Sequence, residues 1–401
     1  MPRRKKICVI GLGYIGLPTA ALLANRGYDV HGVDVVQTTV DTINRGEIHI
    51  VEPELDTFVQ AAVNSGKLKA DLKPTDADIF IIAVPTPFHE GYIPNVDYVV
   101  SATKALAPYV KEGNIVILES TSPVGTTDRV EDVLKVEGID TSKLFIAHCP
   151  ERVLPGQIMR ELVDNDRIVG GTTPQATQKT VEFYNTFVSG EVFSTTARTA
   201  EMAKLTENSF RDVNIAFANE LSILCDTFNI DVWELINLTN RHPRVNVLQP
   251  GAGVGGHCIA VDPWFIIHAA KEANVEAKII RSAREVNTYK TEWVIEKIKN
   301  EALKFEAENG RKAKVACMGL AFKPNIDDLR ESPALFITKR LIADSLDILA
   351  VEPNIESHNE FEVVEYNQAL EEADIVIFLV AHREFKELNI KNGLDFCGVL
   401  V

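Results

Sequence analysis

Apolar and polar positions alternate in blocks along the first 150 residues. Segments 7–10, 29–34, 77–84, 114–119 and 143–148 are mostly apolar and bounded by glycine, proline or charged residues. Short runs of this kind read as strands buried on both faces. Between the first two, residues 17–26 read as a helix stopped by Gly27. Strands alternating with helices predict a parallel, doubly wound α/β sheet.

The pattern then changes. From Gly190 to Pro243 there is no glycine or proline, and Met202, Leu205, Val213 and Phe217 recur at helical spacing. This predicts a helical central region, with long helices that link two lobes and support a subunit interface. After Gly310 the α/β pattern returns. Lys-Val-Ala-Cys-Met-Gly-Leu-Ala-Phe at 314–322 resembles Lys-Ile-Cys-Val-Ile-Gly-Leu-Gly-Tyr at 6–14, and 373–380 resembles 77–84. A second lobe of the same kind as the first is therefore expected.

The turn after the first strand reads Gly11-Leu-Gly13-Tyr14-Ile15-Gly16, and Asp34 stands eighteen residues beyond its last glycine. A strand, this turn, a helix and an acid at the end of the next strand form a dinucleotide fingerprint. Gly11 turns the chain, Gly13 lets the backbone approach a pyrophosphate, and Gly16 packs helix on strand. Tyr14 and Ile15 line the same cradle. Asp34 accepts hydrogen bonds from the adenosine ribose, and no arginine follows to receive a 2'-phosphate, so NAD is expected rather than NADP. The turn at 319–323 lacks the second and third glycines and places Lys323 there instead. The fold expected is two Rossmann-like doubly wound domains, 1–195 and 310–401, joined by a helical central domain, 196–309.

Composition narrows the partners. A net charge of -16 argues against nucleic acid or an anionic membrane surface. It leaves room for a small anion held by a local basic cluster. Six cysteines without a C-x-x-C pair, and nine histidines without zinc spacing, indicate neither a disulfide framework nor a metal, as fits a cytoplasmic protein. Basic residues 3–6 before an apolar stretch resemble a signal peptide, but Gly11, Gly13, Gly16 and Pro18 interrupt it as strand, turn and helix do.

The candidate chemistry lies mainly between the lobes. Residues 251–256 hold four glycines, followed by Cys258 and, four residues on, Asp262. Such a loop lets backbone approach a bulky phosphate-bearing ligand, and a cysteine behind it can act as nucleophile. A thiol combined with a hydride acceptor implies an oxidation through a thioester. Glu201, Lys204, Asn208 and Arg211 share one helix face, either a reactive set or a solvated one. Arg241-His242-Pro243-Arg244 is a cationic cluster suited to a pyrophosphate or to plain surface. Thr86 and Thr121 follow strand ends, where they touch the nicotinamide half or cap turns. Glu151 and Arg152 either handle a water and an anion or form a structural ion pair.

These segments resemble, in order and over nearly the whole chain, the UDP-glucose/GDP-mannose dehydrogenase family. The matching motifs are Gly-Leu-Gly-Tyr-Ile-Gly-Leu-Pro, Val-Pro-Thr-Pro, Glu-Ser-Thr-Ser-Pro, Cys-Pro-Glu-Arg, Lys204-x-x-x-Asn208, Gly-Gly-His-Cys258 and the stretch 319–333. The resemblance implies a four-electron oxidation of a sugar C6 alcohol to a carboxylate, with two NAD, through a Cys258 thiohemiacetal and thioester. It implies Lys204 as acid/base, Asn208 as its assistant, Asp262 as water activator and Glu151 as water-orienting carboxylate. It places Arg152, Val153, Arg211, His242, Arg244 and Gly255 against the substrate, Phe322 and Lys323 on its nucleotide, and Arg330 on NAD. Residues 240–264 are similar to the branch acting on UDP-N-acetyl-D-mannosamine, with UDP-N-acetylglucosamine as the alternative. Val261 stands where the UDP-glucose branch carries lysine. A homodimer through the helical region is implied. A one-step β-hydroxyacid-type dehydrogenase and a non-enzymatic NAD-binding regulator are competing readings, and both leave Cys258 unexplained. The sequence ends at Val401 within a strand-like run, so a short further segment is expected.

Overall fold

The computed structural model describes residues 5–256, 258–386, 388 and 393–400. The chain forms two compact units, Met1–Thr206 with Trp264–Ala273, and Glu207–Pro263 with Asn274–Val401.

The strands of the first unit are β1 (Lys6–Ile10), β2 (Asp29–Val33), β3 (Leu68–Asp71), β4 (Ile79–Ile82), β5 (Phe88–His89), β6 (Ile93–Pro94), β7 (Ile115–Leu118), β8 (Phe145–His148), β9 (Arg167–Gly171) and β10 (Val192–Thr196). Eight of them form one sheet in the order β10-β9-β8-β7-β4-β1-β2-β3, while β5 and β6 make a separate hairpin. Alternate side chains of β1 explain why its run is apolar throughout. Ile7 and Val9 pack with Leu17, Ala20 and Leu23 of the helix Gly16–Asn25 on one face. Cys8 and Ile10 pack with Phe80, Val99 and Leu106 on the other. Within the eight-stranded sheet the pairs are parallel except β8 with β9, where Ala147 faces Gly171 antiparallel. The apolar blocks anticipated five of these strands. β3, β9 and β10 are additional, because Leu-Lys-Ala-Asp, Arg-Ile-Val-Gly-Gly and Val-Phe-Ser-Thr-Thr mix polar and glycine positions.

The predicted helical region contains Ala197–Phe228 and Lys278–Asn309, each 32 residues long. The second unit carries the repeated α/β lobe: β11 (Lys314–Met318), β12 (Asp347–Val351), β13 (Ile375–Phe378) and β14 (Leu394–Asp395), parallel in the order β12-β11-β13-β14. Val315 and Cys317 pack against Val294, Ile298, Ile337 and Leu341, whereas Ala316 and Met318 pack against Phe378 and Phe385. Among the described residues no helix is long and apolar enough to cross a membrane.

Candidate active site

The turn after β1 is held by hydrogen bonds from both neighbouring strand ends. Gly11 N–H donates to Val33 O at 2.8 Å, and Ala83 N–H to Ile10 O at 2.8 Å. Gly11 has φ +92°, and a Cβ there would lie 2.6 Å from Ala83 O. A Cβ on Gly16 would fall 1.7 Å from Gly11 O. Both positions are closed to any side chain by the protein itself. Gly13 differs, since a Cβ there would meet nothing within 4 Å. Its bareness is not required for packing, as suits a backbone left open to a pyrophosphate at the start of the helix Gly16–Asn25. Asp34 accepts from Leu12 N–H (3.1 Å) and Val36 N–H (3.0 Å), one on each oxygen. Each oxygen keeps lone-pair capacity for ribose hydroxyls. These residues fit the adenosine half of NAD.

The two threonines after other strands of this sheet come together: Thr86 Oγ1 donates to Thr121 O at 2.5 Å. Beyond β8, Glu151 is buried and its carboxylate pairs with Arg167, 2.7 Å from Nη1. Arg152 supplies its backbone N–H to Glu151 at 2.8 Å and a guanidinium N–H to Asp166 O at 3.3 Å. Arg167, sixteen positions away, was not anticipated, because nothing in the local spacing links β9 to this loop. Tyr184 lies 5.2 Å beneath Arg167 and donates to Glu119 at 2.7 Å. Burial, then the neighbouring Glu151 charge, pushes Glu119 up to about 7. Val153 packs its side chain on the apolar core.

Glu201 has a different role from the rest of its helix face. It is buried and accepts from Gly125 N–H (2.6 Å), Thr127 N–H (2.7 Å) and Thr127 Oγ1 (2.6 Å). It thus caps the helix Thr126–Val136 from outside, an anion at a positive helix end. Lys204 follows it, half-buried.

In the second unit, Cys258 is the one exposed cysteine of the six. Its carbonyl accepts from Asp262 N–H at 2.9 Å, a single turn leading into the helix Asp262–Glu272. Asp262 is buried and accepts from Asn208 Nδ2 at 2.6 Å, so two residues 54 positions apart in the chain meet directly. The loop is fastened on both sides. Gly251 N–H donates to Asn219 Oδ1 (2.9 Å), Thr291 to Ala252 O (3.0 Å), and Arg284 Nη1 to Ala260 O (2.9 Å). Asn287 joins Asn219 to Asp212, and Arg284 stands 3.2 Å from the Asp212 carboxylate. Burial outweighs Arg284 and pushes Asp212 up to about 6. This buried polar network was also absent from the sequence reading.

The loop glycines have a reason within the chain. A Cβ on Gly255 would lie 2.3 Å from Glu331 O and 2.9 Å from Phe322 Cβ. A Cβ on Gly256, at φ +81°, would lie 2.9 Å from the Phe322 ring. Their bareness thus admits the segment carrying Phe322, where the sequence alone pointed to a ligand. Lys323 is exposed, with Nζ 5.9 Å from the Phe322 ring. Arg211, His242 and Arg244 are exposed, and Arg244 N–H donates to His242 Nδ1 at 3.3 Å. Arg330, expected on NAD, forks onto Asp328 at 2.9 and 2.7 Å.

Three regions match models of one family: its NAD binding domain over residues 5–188, its central domain over 198–289 and its UDP binding domain over 316–397. A UDP-N-acetyl-D-mannosamine dehydrogenase of Campylobacter jejuni is 55% identical over 99% of this chain and 100% of its own. An NDP-N-acetyl-D-galactosaminuronic acid dehydrogenase of Ralstonia nicotianae is 52% identical over 96% of this chain and 92% of its own. The solved structure of a UDP-D-ManNAc dehydrogenase from Pyrococcus horikoshii superposes with TM-score 0.88 at 38% identity, over 99% and 96% of the two chains. With an exposed thiol, an NAD cradle and all three domains in order, the chain belongs to the UDP-glucose/GDP-mannose dehydrogenase family and is an NAD-dependent UDP-sugar dehydrogenase.

Proposed function

We propose that the enzyme oxidises C6 of UDP-N-acetyl-D-mannosamine to the carboxylate through a covalent Cys258 intermediate. NAD, when bound, accepts hydride in each of two oxidations. The chain's own residues do the rest. Lys204 takes the proton of the C6 hydroxyl and offsets the oxyanion that develops. The Cys258 thiolate adds to the resulting aldehyde carbon to give a thiohemiacetal. Once this is oxidised to a thioester, water oriented by Glu151 and activated by Asp262 releases the acid and restores the thiol. Asn208 fixes Asp262 through the 2.6 Å hydrogen bond. Arg152, Val153, Arg211, His242, Arg244 and Gly255 are assigned to the substrate, Phe322 and Lys323 to its nucleotide, and Arg330, with Thr86 and Thr121, to NAD. The observation that carries this reading is the exposed Cys258 one turn before a buried, Asn208-bound Asp262. The division 1–195, 196–309 and 310–401 follows the same assignment of roles.

A homodimer in the cytoplasm completes the proposal. On Ala197–Phe228, Phe210, Phe217 and Leu224 recur every seventh residue and are all exposed, a stripe suited to a second copy. A panel of UDP-linked N-acetylmannosamine, N-acetylglucosamine, N-acetylgalactosamine and glucose tests the substrate, with NADH counted per sugar. Two NADH with the manno epimer fastest is the expected outcome. Faster turnover of another epimer or of glucose overturns the sugar assignment, and one NADH per sugar overturns the covalent route.

A further inference from the structure

In the second lobe a buried acid–histidine pair holds the segment that carries Phe322. Glu352 follows β12 and His382 follows β13, and both are nearly or fully buried. Glu352 accepts from Leu320 N–H (2.8 Å), Ala321 N–H (2.9 Å) and Asn354 N–H (3.1 Å). His382 Nε2 lies 3.0 Å from Glu352 Oε2. On its other edge His382 Nδ1 meets two donors, Asn325 N–H at 3.0 Å and Asn354 Nδ2 at 3.1 Å. With donors on Nδ1, that nitrogen serves as the acceptor and the ring's N–H on Nε2 points toward Glu352.

The consequence is geometric. One dyad fastens both ends of the segment 320–325: Glu352 takes the amides of Leu320 and Ala321, and His382 takes that of Asn325, which sits at φ +61°. Asn325 Oδ1 in turn receives Arg383 N–H at 3.0 Å. Between the two fastenings Phe322 stands against Gly255 and Gly256, two residues before His257 and Cys258. Movement of the segment would therefore carry the wall of the cysteine loop with it.

We infer that Glu352 and His382 are positioning residues that latch the segment 320–325, setting Phe322 and Lys323 for the nucleotide and bracing the glycine loop before Cys258. This rests on the reading that Phe322 and Lys323 hold the nucleotide. Two conservative substitutions separate the two edges of the ring. In His382→Asn the amide oxygen stands where Nδ1 was and keeps an acceptor for Asn325. In His382→Gln the amide nitrogen reaches Glu352 but leaves the Asn325 N–H without a partner.

The probe is UDP alone, titrated calorimetrically into the intact enzyme, with NAD titrated in parallel. His382→Gln should weaken UDP by roughly tenfold, the cost of about one hydrogen bond. His382→Asn should stay within about threefold, and NAD within about twofold in both. Equal loss of UDP and NAD, or no change of UDP in His382→Gln, overturns the latch. Hydrogen exchange on the wild-type enzyme gives a reading that survives if a variant fails to fold. The amides of Leu320, Ala321 and Asn325 should exchange far more slowly than that of the exposed Lys323, and fast exchange of all three refutes the latch. A wild type that binds no UDP refutes instead the nucleotide assignment, while the exchange result still stands or falls on the latch.

Discussion

The two lobes begin alike and then use their acids in opposite ways. Gly11 and Gly319 both turn at positive φ, +92° and +98°, and both donate to the strand beside them at 2.8 Å, to Val33 O and Val351 O. The next residue in each case gives its amide to the acid that ends that strand, Leu12 to Asp34 and Leu320 to Glu352. Asp34 is half-exposed and next to a bare Gly13. Glu352 is one methylene longer, buried, and shared among backbone amides, Asn354 and His382. The same scaffold thus leaves a carboxylate half-exposed beside a bare glycine in one lobe and commits it to internal order in the other. A repeated fold element does not repeat its ligand when the acid's coordination is already complete.

Cys258, the thiol proposed to make the covalent bond, belongs to neither copy of the repeat, and its loss has the largest effect expected. Cys258→Ser should cut overall turnover by several orders of magnitude while leaving substrate Kd nearly unchanged, with a covalent UDP-sugar adduct at position 258 visible by mass spectrometry. Cys258→Ala that still releases two NADH per sugar would refute the thioester route. Next comes Glu352→Ala, which leaves the Nε2 edge of His382 and the amides of Leu320, Ala321 and Asn354 without their acceptor. We expect a loss of stability of about 3 kcal/mol by chemical denaturation, with NAD affinity unchanged. The matching change Asp34→Ala should do the reverse: NAD binding weakened by roughly 1–3 kcal/mol, with the denaturation midpoint nearly unmoved. If both variants lose stability alike, the contrast between the lobes fails.

A smaller effect lies in acid. Burial raises Glu352, but His382, the Leu320 amide and Asn354 outweigh it and hold the carboxyl near about 2, below its ordinary 4.5. An acid depressed on folding stabilises fully above its unfolded value, and that contribution fades as pH falls from 4.5 toward 2. Melting temperatures of the wild type should therefore drop more steeply across that window than those of Glu352→Gln. Parallel slopes would show that Glu352 is not the depressed group.

Much of this contrast was legible before any coordinates. The fingerprint around Gly11 and Asp34, the second copy at 314–322 and the cysteine loop each announce themselves within a few consecutive residues. Such features are local: strand, turn and helix follow from apolar runs and glycine punctuation. What stayed hidden is long-range and polar. Arg167 meets Glu151 across two strands, Asp212 and Arg284 fasten the cysteine loop from two helices, and His382 reaches Asn325 across 57 positions. Nothing in the spacing of those residues predicts their meeting. The loop glycines show the same limit. Their bareness was legible, but its occupant, Phe322, was not. Glu201 shared a face with Lys204 and Asn208, yet its carboxylate was claimed by a helix end whose position only the fold decides.

The uneven exposure of the thiols gives the enzyme a chemical handle. Burial pushes Cys8, Cys149 and Cys317 up to about 12 and raises Cys225 and Cys397 as well, so these five stay protonated and poorly reactive at neutral pH. A mild alkylating reagent added to the native protein should therefore consume one equivalent per chain, at Cys258. The count of labelled chains then measures how many chains carry an accessible Cys258. By the same chemistry, Cys258 is where peroxide would first mark the enzyme.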